Sequence, residues 1–204
     1  MKKWMITSVV LVGLLAGCGS KEEPNESTAS STANSTAVET ASSSSVTEES
    51  TSTSVNTSGE NGEFSVGDAS YSIKIPAHWA NYEDVASLNP DASYALEKDD
   101  LSAYYMVIAE NKVDFSDFNT YVDLVTGSLE EEATNVKEED VTVNGMKGVR
   151  KTFDLNVQGV NLSYIFDVVE SETQFVQSVG WSLKSEAEVA KPEIESILNS
   201  FQQK

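Results

Sequence analysis

The chain is 204 residues long and carries 33 Asp+Glu against 13 Lys+Arg, with one His, for a formal charge of −20. Phosphate backbones repel so acidic a protein, which argues against a nucleic-acid partner. One cysteine and one histidine exclude an internal disulfide framework, a multi-cysteine zinc or iron–sulfur site and a multi-histidine metal centre.

Residues 1–17 read as a signal peptide. Lys2 and Lys3 form a positive n-region, and residues 4–16 form an apolar run. That run is shorter than the roughly 20 residues a membrane-spanning helix needs. It closes on Leu15-Ala16-Gly17-Cys18. This resembles the bacterial lipobox, with Leu at −3, small residues at −2 and −1, and Cys at +1. The resemblance implies that the Cys18 thiol receives a diacylglyceryl group and that the signal is cut before it. The protein is then held to the membrane by lipid on Cys18, at the extracytoplasmic face of a Gram-positive-type cell surface. Two acyl chains anchor stably where one holds only marginally.

Residues 18–62 read as a lipid-anchored tether. Within 27–58, 20 of 32 positions are Ser or Thr, and no aromatic residue occurs between Trp4 and Phe64. Such a segment buries too little apolar surface to offset chain entropy, so disorder is expected. As a flexible coil it has a reach of roughly 35–40 Å.

Residues 63–204 hold the folded domain, with 26 Asp+Glu and ten Lys+Arg, a net −16. Tyr71, Ile73 and Ile75 alternate with polar residues and predict a half-buried strand that Pro76 ends. Residues 92–98 and 102–109 predict two more strands. The period then changes. Phe115, Phe118, Val122, Val125 and Leu129 lie on one helical face, with Asp114 or Ser116 able to cap it. Glu130, Glu131 and Glu132 oppose the macrodipole at its end, where fraying is expected. Val141 and Val143 lead into Asn144-Gly145, a hairpin turn signal. Alternation resumes at Phe153, Leu155 and Val157, turns at Gln158-Gly159, and continues through Val160, Leu162, Tyr164, Phe166 and Val168. Phe175, Val179 and Trp181 carry the last strand of a four-stranded meander. Ile194, Ile197, Leu198 and Phe201 mark a terminal helix. Ser185 with Glu188 fits a capping box. Pro192 either starts that helix or separates a short turn from it.

The predicted order is β-β-β-α-β-β-β-β-α, an α+β fold with an antiparallel β-sheet flanked by helices. Three signatures accompany it: Tyr71-Ser-Ile-Lys-Ile-Pro76-Ala-His-Trp79, Val143-Asn-Gly145-Met-Lys-Gly148 and Ile197-Leu-Asn-Ser-Phe201. Together they resemble the PsbP-like family of secreted α/β/α sandwich domains, over about residues 64–202. The family has no shared catalytic set, so the resemblance implies no catalytic residue. The lipobox and tether resemble its bacterial lipoprotein branch, so no photosynthetic role is implied.

The chemistry-bearing residues are few. His78 is the sole candidate for a nucleophile–histidine pair, and it sits between Pro76 and Trp79 as a surface or turn residue. No nucleophile-elbow, phosphate-loop or zincin motif occurs. The acidic clusters Glu97/Asp99/Asp100, Glu130/Glu131/Glu132 and Glu138/Glu139/Asp140 lack the calcium-loop pattern and read as solvated charge. Arg150, the one arginine, reads as a local salt-bridge partner. Trp79, Tyr82, Tyr104 and Tyr105 are the candidate ligand-facing residues, because aromatics dominate recognition surfaces. Adjacent Tyr104 and Tyr105 must point to opposite faces of their strand.

No catalytic, metal or cofactor residue is expected. The expected function is that of a surface-anchored lipoprotein whose binding or accessory domain acts on another envelope protein or complex. One alternative is capture of a small ligand, divalent metal or wall glycan in an aromatic-lined cleft. The other is an envelope hydrolase built on paired acids or His78.

Overall fold

The structure is a computed structural model that describes residues 59–204. Cys18, the signal sequence and the tether up to Ser58 lie outside the described residues. The domain opens on β1 (Glu60–Val66), which folds back antiparallel on β2 (Ala69–Ile75). A two-residue strand at the C-terminus, Gln202–Gln203, joins the other edge of β2. These three strands form a small sheet.

The large sheet has seven strands, all pairing antiparallel. In chain order they are β3 (Trp79–Asn81), β4 (Tyr94–Lys98), β5 (Ala103–Asn111), β6 (Thr134–Val143), β7 (Met146–Val157), β8 (Val160–Glu170) and β9 (Gln174–Leu183). Their spatial order is β3-β4-β5-β9-β8-β7-β6, with Gln202–Gln203 as β10 in the small sheet. Three helices accompany them: α1 (Val85–Leu88), α2 (Phe118–Glu130) and α3 (Ala187–Ser200).

Strand alternation sorts the side chains into two cores. On one face, Leu96, Tyr105, Val107 and Val176 pack against Tyr71 and Ile73 of β2, Ile194, Ile197 and Leu198 of α3, and Phe201. On the other, Met106, Ile108, Phe153, Phe166, Phe175, Val179 and Trp181 pack against Tyr121 and Val122 of α2. The fold is therefore α+β, an antiparallel sheet with helices on both faces. Among the described residues no helix is long and apolar enough to cross a membrane.

The meander is laid out as its alternation predicts. At the first hairpin, Asn144 and Gly145 both take positive φ, 46° and 91°, which the tight turn requires. Several local details differ from the sequence reading. β1 begins at Glu60, so residues 60–62 belong to the sheet and not to the tether. Strands β3 and β10 and helix α1 are too short to show a period. Phe115 precedes α2, in the extended residue after a 3-10 turn at Lys112–Asp114. The cap is Asp117, not Asp114 or Ser116. Its carboxylate accepts from the Thr120 backbone N–H at 2.9 Å. The Ser185/Glu188 capping box does not form, because a 3-10 turn at Lys184–Glu186 runs directly into α3. Pro192 lies inside α3 and faces solvent, where water can satisfy the carbonyl its ring leaves unpaired.

Candidate functional site

A cleft of about 290 Å³ lies between the C-terminal half of α2 and the large sheet. The N-terminal half of α2 is fastened down. The Tyr121 hydroxyl donates to Glu110 Oε2 at 2.7 Å and accepts from Gln177 Nε2 at 2.9 Å. Phe115, Phe118 and Tyr121 close around Phe175 with ring centroids 5.0–6.1 Å away. Beyond Val122 the helix turns Val125, Ser128 and Leu129 toward the cleft, and they do not fill it. Val125 and Leu129 form one wall of the cleft, and Leu155 with the β7–β8 turn forms the other. Its floor is Met106, Phe153, Tyr164, Phe166 and Val179. Lys151, largely buried, ion-pairs with Glu130 of α2 and with Glu138 at 2.9 Å.

The floor continues an aromatic ladder. Tyr104, Trp181, Tyr164 and Phe153 are direct cross-strand partners on β5, β9, β8 and β7. Their rings stack in sequence with centroids 5.6, 6.1 and 5.1 Å apart and interplanar angles of 18°, 21° and 11°. Such spacing matches favourable offset stacking. Tyr82 meets the free end of the ladder edge-on, 6.1 Å from Tyr104.

The four aromatics singled out from sequence do not converge on one groove. Tyr82 and Tyr104 meet at the end of the ladder, outside the cleft lining. Trp79 and Tyr105 belong to the opposite core. The Trp79 indole donates to Glu193 of α3 at 3.0 Å. The Tyr105 hydroxyl pairs with Ser178 at 2.7 Å, and burial pushes its pKa up. The period of two that separates adjacent tyrosines is what divides the set. The residues that do line the cleft, Phe153, Leu155, Tyr164 and Phe166, read as meander core in the sequence. No local signal in the sequence separates them from core, because each keeps the alternation of a meander strand.

The polar candidates are accounted for locally. His78 sits at φ 68°, and its Nδ1 lies 3.3 Å from Asp99 Oδ2 with both side chains exposed. Neither lines the cleft. Arg150 makes a two-pronged pair with Asp167, 2.7 Å at each prong, and also donates to Asn199 Oδ1 at 3.0 Å. Burial pushes the Asp167 carboxyl up, and the hydrogen bonds that Arg150 donates to that carboxyl raise the guanidinium's own pKa. Among the described residues no three His, Cys, Asp or Glu side chains are grouped to hold a metal ion.

No protein-family model and no curated protein matches the chain. Solved structures do. LpqN, involved in cell envelope biogenesis of Mycobacterium tuberculosis, is similar over 71% of this chain and 91% of its own, at 10% identity with a TM-score of 0.52. Cyanobacterial PsbP (CyanoP) from Synechocystis sp. PCC 6803 is similar over 65% and 85%, at 12% identity with a TM-score of 0.47. A protein from Bacteroides thetaiotaomicron VPI-5482 matches over 66% of this chain at 13% identity, TM-score 0.44, and the chain spans 45% of its length. At these identities the likeness is one of fold.

Proposed function

We propose that this chain is a lipid-anchored lipoprotein of a bacterial surface, whose folded domain is a non-catalytic accessory module acting on another envelope protein or complex. The observation that carries this reading is Leu15-Ala16-Gly17-Cys18 behind a short apolar run and ahead of a Ser/Thr-rich stretch. That order holds the domain near a membrane while leaving it free to reach a partner. The fold shared with LpqN, itself involved in cell envelope biogenesis, is in keeping with it. The net −16 of residues 63–204 favours a partner with a basic or cation-bearing face, and sets the domain against anionic headgroups.

Two measurements test the proposal. Cys18→Ala should leave unprocessed precursor and abolish the lipid-modified form. Crosslinking in intact cells should enrich an envelope protein over an unrelated domain carried on the same anchor and tether. Processing of the Cys18→Ala chain at the same site, or a crosslinked set no different from the control, would overturn it.

A further inference from the structure

Tyr164 has a feature that core packing does not explain. The residue is 8% exposed, yet its hydroxyl makes no hydrogen bond to the described residues. Every fully sealed side-chain nitrogen and oxygen among them has a partner. The Tyr164 oxygen is therefore reachable, and the residue lines the cleft under α2. A reachable hydroxyl with no protein partner, set among apolar walls, is free to hydrogen-bond whatever enters the cleft.

The surroundings define what that partner is. Val125, Leu129, Leu155, Phe166 and Val179 make the walls and floor apolar. Of the amides in the lining, Gln177 is engaged with Tyr121 at 2.9 Å and Asn156 with Asn161 at 2.8 Å, while Gln158 is exposed on the β7–β8 turn. Glu132 is the charged residue of the lining, and it repels an anionic head. Tyr164 has Phe153 stacked on one face and Trp181 on the other, so its own ring offers no platform for a sugar. A volume of about 290 Å³ is that of roughly ten water-sized groups, or a chain of about as many methylenes.

We infer that the cleft binds a neutral single-chain acyl ester, its chain lying along the apolar walls and its carbonyl oxygen accepting from the Tyr164 hydroxyl. This stands apart from the protein-partner reading and does not rest on it. The source is a free monoacyl lipid of the membrane.

The test uses the mature chain from Gly19 to Lys204 without its lipid, titrated with 1-monodecanoylglycerol below its aggregation concentration. Calorimetry gives the affinity, and the emission of Trp181, stacked on Tyr164, reports the site. Saturable one-to-one binding is expected. Tyr164→Phe, which removes one oxygen and keeps the stack, should weaken it about tenfold, the worth of a single hydrogen bond. Leu129→Trp should fill the cleft and abolish binding, and decanoate at neutral pH should bind at least about tenfold more weakly. No saturable binding, an unchanged affinity in Tyr164→Phe, or decanoate binding equally well would each overturn the inference.

Discussion

The two faces of the large sheet solve the same packing problem in opposite ways. Under α3 the central strand β9 offers Ser178, Gly180 and Ser182, and the helix supplies the bulk. A Cβ on Gly180 would lie 2.2 Å from Ile194 Cγ2, which measures how closely the helix approaches. Under α2 the same strand offers Phe175, Gln177, Val179 and Trp181, which the helix meets with Phe118, Tyr121 and Val122 in its N-terminal half and only half-buried Val125 and Leu129 beyond. Small sheet residues beneath large helix residues give a closed interface. Large sheet residues hold the helix off, and the cleft opens where Val125 and Leu129 do not close the gap. The closed face also contains the Arg150–Asp167 pair, whose geometry only a fixed helix can maintain.

The contrast can be broken most severely at that pair. Arg150→Met leaves the Asp167 carboxylate buried without its partner, and should cost about 3–5 kcal/mol of stability. Arg150→Met combined with Asp167→Leu should recover most of that loss. Urea unfolding of both variants checks it, and a single variant as stable as the parent would contradict it. Next in size are truncations on the two faces. Ile194 is 1% exposed, so Ile194→Ala should cost about 2–5 kcal/mol, whereas half-buried Leu129→Ala on the cleft wall should cost about 1 kcal/mol or less. Equal losses would mean that the two interfaces are packed alike.

The smallest effect is confined to acid. Asp154, whose side chain lies near the N-terminal end of α3, accepts from Asn135 at 2.6 Å, Ser163 at 2.5 Å and Lys184 at 2.9 Å. Burial alone would raise its pKa, but the hydrogen bonds from Lys184, Ser163 and Asn135 outweigh that and hold it at about 2. A carboxyl depressed on folding contributes stability above its unfolded pKa and loses it as the pH falls through the folded one. The loss therefore falls between about pH 4 and pH 2. Asp154→Asn should flatten that part of the pH profile of the thermal midpoint while leaving its shape above about pH 5 unchanged.

The meander, both long helices and the antiparallel architecture were legible because each rests on a long periodic run. Phe153 through Val168 alternates over two strands, and the pairing Phe153↔Tyr164 follows from the Gln158-Gly159 turn alone. The start of α2 was misread because Phe115 keeps the helical spacing while contributing its ring from outside the helix. The short strands carry no period of their own and exist through pairing across long stretches of chain, as Gln203↔Tyr71 does. The cleft was hidden for a related reason. Each of its floor residues looks like core, and only the register of four strands under one helix shows that nothing fills the space above Tyr164. The expected groove failed because proximity in sequence, Tyr104 beside Tyr105, is separation in a strand.

One further consequence concerns the outer rim of the sheet. Strand β6 ends the strand order, and residues 134–140 are exposed along its length. Lys137, Glu138, Glu139 and Asp140 crowd that rim with charge. A molecule confined to a surface meets its neighbours far more often than one free in solution, and an open strand invites edge-to-edge annealing. The acidic rim makes two copies repel at the line where they would otherwise zip together. The same charge keeps an open edge strand from acting as a template for pairing when copies are crowded together.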